Sequence, residues 1–175
     1  GNPAYTSVLD SMCSDPTNND SLFLERLLKK LKSDSRYPKV AKDAVVSVWE
    51  RVGVSLQDPR TIGLSALEHY SICSDDKREA YLNRALDHLD AVSFPVERSL
   101  VLHAYASFVR HRYLDSAQDL TYSKEALSLL VDQEGPEVRS AKFKALLGLA
   151  NALDVIGDIP GAISHAKQAQ EYDDG

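Results

Sequence analysis

The sequence predicts an all-α fold built from antiparallel helical hairpins. Three observations carry that expectation. Apolar residues recur at steps of three and four rather than two, prolines stand where helices begin, and no strand-turn-strand signal occurs. The pattern is clearest between Leu146 and Ala169, where Leu146, Leu149, Ala150 and Leu153 precede Gly157-Asp158, and Ala162, Ile163, Ala166 and Ala169 follow it. Two amphipathic helices about a tight turn account for that spacing. Ala150, Ala162 and Ala169 fall where two helix axes approach closely, since a bulky side chain there would force them apart.

Taken in order, the chain begins with a short helix expected over Ala4 to Met12, followed by the turn formers Ser14 to Asp20. Asp20 or Ser21 then caps a helix over Leu22 to Lys32, with Leu24, Leu27, Leu28 and Leu31 on one stripe. Ser33-Asp34-Ser35 breaks it, and Pro38 opens the next helix from a first-turn position. Its expected apolar face is Val40, Ala44, Val45, Val48, Trp49 and Val52, with Gly53 as its stop. The valines of Ala44 to Val48 also suit a strand, but lysines and Glu50 at helical spacing favour a helix. Further helices are expected over about Arg60–Cys73, Asp76–Val92, Val96–Tyr113, Leu120–Val131, Glu137–Ile156 and Ile159–Tyr172. Pro59, Pro95, Pro136 and Pro160 each mark a start.

Self-comparison tests whether these hairpins repeat. Ala85, Ala126 and Ala169 occupy matching places in the second helices, 41 and 43 residues apart. In the first helices Leu102, Tyr105, Ala106 and Val109 align with Leu146, Leu149, Ala150 and Leu153 at a shift of 44, and Ile62, Ser65, Ala66 and His69 echo them. Over residues 143–174 this pattern resembles the tetratricopeptide repeat (TPR), a helix-turn-helix unit of about 34 residues. The resemblance implies TPR-like hairpins stacked as an α-solenoid, and a protein-binding scaffold. Three hairpins are expected at about 59–92, 96–132 and 136–172 within 58–175. Residues 1–57 hold N-terminal helices that form either a fourth, degenerate hairpin or a cap. The first two hairpins lack the Gly-Asp turn, and Tyr113 to Asp119 is expected to form a longer loop. The missing initiator Met and the abrupt end after the last helix suggest a fragment of a larger protein.

With 175 residues, 43% of them hydrophobic, the chain is long enough to bury a core. A net charge of −6 speaks against nucleic acid and against an anionic membrane surface. No apolar run is long enough to span a bilayer, and no signal peptide is visible. Cys13 and Cys73 make neither a disulfide framework nor a zinc site, which points to an intracellular setting. Phosphate loops and catalytic motifs are absent, so neither an enzyme nor a cofactor or metal is expected.

What remains is a polar stripe on the first helices of the hairpins, the side that lines the groove of a TPR-like stack. It comprises Arg60, Tyr70, His103, Ser107, Arg110, His111, Lys144 and Asn151. Arg110 is expected to be exposed there. An acidic or amphipathic segment of a partner protein is the expected ligand, because arginine offers a two-pronged donor to carboxylates. Leu147 stands where carboxylate-clamp TPR domains carry a lysine, which weighs against a chaperone-tail receptor. The alternative is a structural or self-associating segment with no peptide groove of its own.

Overall fold

Eight helices and no strand make up the regular structure of the described residues, which in the computed structural model are 14–34, 39–73 and 75–173. The expected helix over Ala4 to Met12, Cys13 and Pro38 lie outside them. No described helix is long and apolar enough to cross a membrane. The chain divides into two compact units, 1–88 and 89–175. That division falls within the stretch 58–175 read from sequence as one array of three hairpins.

The first unit contains α1 (Asn18–Ser33), α2 (Lys39–Leu56), α3 (Pro59–Ile72) and α4 (Asp75–His88). Leu24, Leu28 and Leu31 of α1 pack with Val45, Val46, Val48, Trp49 and Val52 of α2, joined by Leu27, Leu56, Leu64 and Ile72. Fully burying each such side chain contributes roughly 1.5–3 kcal/mol, so this cluster dominates the unit. Its polar atoms are paired in a chain: Trp49 Nε1 donates to Ser21 Oγ at 3.0 Å, and Ser21 Oγ lies 2.6 Å from Thr61 Oγ1. Thr61 Oγ1 in turn donates to Asp58.

Four local expectations are corrected here. Thr17, not Asp20 or Ser21, caps α1, and Asp20 completes a reciprocal capping box. Gly53 does not stop α2, which continues to Leu56. Gly53 is instead a point of close approach to α3, where a Cβ would lie 2.6 Å from Thr61 Cγ2. The buried face of α2 is rotated from the one expected: Val40 and Ala44 are exposed, while Val46 is fully buried. Leu56 ends α2 because Gln57 adopts a positive φ of 52° and Asp58 caps α3 through the amides of Arg60 and Thr61. Finally, α4 ends at His88 rather than Val92, since Asp90 folds back to accept the amides of Val92 and Ser93.

The second unit contains α5 (Pro95–Arg112), α6 (Ser116–Ser128), α7 (Pro136–Val155) and α8 (Ile159–Gln170). Consecutive helices pack on one another, and α5 also packs on α7. Leu149 and Leu153 meet Ala162 of α8 on one side and Leu120 and Leu127 of α6 on the other. Tyr105 tilts against Tyr122 at 4.8 Å and meets Phe108 edge-on at 6.2 Å. The turn at Gly157-Asp158 forms as expected. Gly157 takes a φ of 87°, the Asp158 amide bonds Leu153 O at 2.9 Å, and Asp158 caps α8.

The long middle loop does not exist. The helix α6 begins at Ser116, capped by Asp115, so only Tyr113, Leu114 and Asp115 join α5 to α6. Leu114 takes a positive φ of 54° in this connection, the place Gly157 holds in the last hairpin.

Candidate functional site

The stripe read from the sequence separates into residues that hold the fold and residues that face outward. Arg60 and Tyr70 belong to the first unit, and each is engaged there. Arg60 Nη1 donates to Glu25 Oε2 at 3.2 Å. The Tyr70 ring lies beneath the Arg78 guanidinium at 4.5 Å, and burial pushes its hydroxyl pKa up.

In the second unit His103, Ser107 and His111 recur every fourth residue along α5, while Lys144, Gly148 and Asn151 recur along α7. His111, Lys144 and Asn151 are exposed, and His103 and Ser107 are partly buried. Packing of α5 on α7 brings His103 against Gly148, where a Cβ would fall 2.8 Å from His103 Nδ1. That nitrogen is fully buried and, among the described residues, has no hydrogen-bond partner. Burial, followed by the positive charges of Lys144 and Arg110, lowers the His103 pKa from 6.5 to about 4, against a smaller opposing effect of Asp119. His103 is therefore a neutral imidazole at physiological pH, not a cationic contact.

Arg110 contradicts the expectation of an exposed groove residue. Its side chain is only 17% exposed, and its guanidinium donates to both oxygens of Asp119, at 2.5 and 2.9 Å. A further contact reaches Gly148 O at 3.4 Å. Asp119 is wholly buried and also accepts the Ser123 hydroxyl at 3.3 Å. The physical reason is pairing: a carboxylate with no access to water needs a charged partner, and the planar guanidinium fork satisfies both oxygens. The sequence reading passed over Asp119 because it placed the residue in a loop. The available signal was Asp119, Ser123 and Ala126 at helical spacing, the buried stripe of α6, continued by buried Leu130 just past its end.

A second polar cluster, missed by the sequence reading, lies in the first unit. His69 is buried, with Nε2 3.0 Å from Glu50 Oε2 and Nδ1 3.9 Å from Asp43 Oδ1. Tyr81 stacks on it at 4.9 Å, and Arg84 pairs with Glu50. Its members come from α2, α3 and α4, so it ties three helices together. Among the described residues no group of three or more His, Cys, Asp or Glu side chains is placed to hold a metal ion.

Compared with known proteins, the chain matches no family model. Neither a curated protein nor a solved structure matches it.

Proposed function

We propose that the chain is a protein–protein interaction module, a TPR-like helical scaffold whose α5–α7 face takes an acidic or amphipathic segment of a partner protein. One observation carries this reading: α5, which bears His103, Ser107 and His111, packs on α7, which bears Lys144 and Asn151, and three of these five are exposed. Arg110 supports the face from beneath, through Asp119, and is withdrawn from the list of contacts. A reducing, intracellular setting fits the same reading. A photoreactive side chain at position 151 tests it. A discrete adduct with a second protein, lost in Lys144→Glu while helical content is unchanged, is expected. Adducts insensitive to Lys144→Glu would sink the idea.

One feature favours the structural alternative. Val155, Ile156, Ile159 and Ile163, around the α7–α8 turn, are 56, 47, 48 and 51% exposed. Apolar surface grouped in this way is a common mark of an interface. Self-association through it would appear as a concentration-dependent dimer in sedimentation, abolished by Ile159→Lys with Ile163→Lys. A monomer at all concentrations would eliminate this reading.

A further inference from the structure

The first unit carries a basic cleft that is separate from the α5–α7 face. Between residues 29 and 42 the sequence places six basic residues against a single acidic one, in a chain of net charge −6. The fold draws three of them, Lys32, Lys39 and Lys42, around a cleft of about 500 Å³ with Ile72 and Ser71 of α3 in its wall. Glu68, which also lines the cleft, shows the kind of group to which these ammonium groups donate. Its carboxylate receives two hydrogen bonds from Lys32 Nζ, at 2.9 and 2.8 Å. Among the described residues no ion pair engages Lys39 or Lys42. Both lie at the start of α2, whose first turn holds no acidic residue, so the helix dipole disfavours their charge until an anion offsets it; Asp43 follows directly after Lys42.

We propose that this cleft binds an acidic peptide segment, with carboxylates on Lys39 and Lys42 and an apolar side chain against Ile72. Lysines act as separate point charges rather than as planar forks, which suits several carboxylates spread along a chain. The cleft is also far wider than a lone anion requires, and Ile72 gives part of it an apolar wall. The inference shares with the proposed function only the premise that the chain binds other proteins. Its residues lie wholly in the first unit.

A fluorescently labelled peptide, Asp-Glu-Asp-Leu-Glu-Asp, titrated with the full chain in 50 mM NaCl provides the test. Saturable binding is expected, weakening at least tenfold in 500 mM NaCl, because the screening length falls from about 14 Å to about 4 Å over that range. Lys39→Glu with Lys42→Glu should weaken binding at least tenfold, since each exposed ion pair lost is worth up to about a factor of five and each reversal adds repulsion. Lys39→Gln with Lys42→Gln should do so more mildly, and it serves as the readout if the double reversal impairs folding. Lys29→Glu with Lys30→Glu should leave binding within threefold. Equal loss in that control would overturn the cleft in favour of diffuse attraction. Loss only in Lys144→Glu would place the peptide on the α5–α7 face and refute this site while leaving the proposed function intact. Displacement by equimolar inorganic phosphate would make it a phosphate site instead, and absence of binding at millimolar protein would refute it outright.

Discussion

The turns at Leu114-Asp115 and Gly157-Asp158 do the same work with different residues. Each reverses the chain in three residues, places its middle residue at positive φ, 54° and 87° respectively, and ends in an aspartate that caps the next helix. At Gly157 the conformation is local. Glycine enters the left-handed region without steric cost, and the Asp158 amide closes the turn on Leu153 O at 2.9 Å. At Leu114 it is not local. A leucine there costs on the order of 1–2 kcal/mol, its side chain is 83% exposed and recovers little, and the closing bond, Asp115 to Val109 O, stretches to 3.5 Å. What holds this second turn is the Arg110–Asp119 pair, anchored one residue group before the turn and one after it. One hairpin is closed by turn chemistry and the other by a buried ion pair.

The most damaging change should be one that strikes both hairpins at once. Leu149 is 4% exposed and packs toward α6 and α8, so Leu149→Asp buries a carboxylate without a partner. A loss of several kcal/mol, comparable to the whole stability of a typical domain, is expected in urea unfolding. A melting curve like that of the wild type would remove Leu149 from the shared core.

Next in size is Arg110→Glu. It places a second carboxylate beside wholly buried Asp119, and a loss of about 3–5 kcal/mol is expected, confined to the second unit. Amide hydrogen exchange should show α5 and α6 losing protection while α1 to α3 keep theirs. Unchanged protection would return Arg110 to the surface and restore it as a direct partner contact.

The pH dependence comes third. The folded pKa of His103 lies below its unfolded value, so the unfolded chain binds the extra proton between pH 6.5 and about 4. The stability attached to the neutral ring is complete above pH 6.5 and is lost as pH falls through that window, at up to about 1.4 kcal/mol per pH unit. His103→Gln should flatten this part of the stability–pH curve relative to wild type. Parallel curves would show that the ring is not constrained by burial beside Lys144 and Arg110.

The smallest effects separate the turns directly. Gly157→Ala should cost about 1 kcal/mol through backbone strain alone, since no atom lies within 4 Å of the added Cβ. Leu114→Gly should be neutral or stabilising by roughly 0.5 kcal/mol, because relief of strain slightly exceeds the entropy glycine adds to the unfolded chain. Chemical denaturation of both variants checks the opposite signs, and equal destabilisation would erase the distinction between the turns.

The same contrast shows how much the sequence discloses. The Gly157-Asp158 hairpin is legible because glycine, the capping aspartate and the small residues Ala150, Ala162 and Ala169 all point to one geometry. The helical class and the proline starts are legible for similar local reasons. The short turn after Arg112 is hidden, since nothing local marks Leu114 for positive φ; its conformation depends on Arg110 finding Asp119 across the connection. The face of α2 is misjudged for a related reason. Its valines form more than one stripe, and packing on Leu24 and Leu28 of α1 selects Val46 over Val40. At the candidate site the sequence lays a row of polar residues along one helical face, but exposure cannot be read from residue type. Arg110 and His103 turn inward because Asp119 and Gly148 stand opposite them, while Lys144 and Asn151 do not.

The most direct test of the Arg110–Asp119 closure is a double-mutant cycle on that pair, using Arg110→Met and Asp119→Leu in denaturant unfolding. Each single change leaves one buried charge without its partner, whereas the double change removes both charges. The account predicts that the double variant loses less stability than the sum of the single losses by at least about 2 kcal/mol, with α6 still starting at Ser116. Additive losses, or a double loss larger than their sum, would contradict the claim that this pair closes the hairpin.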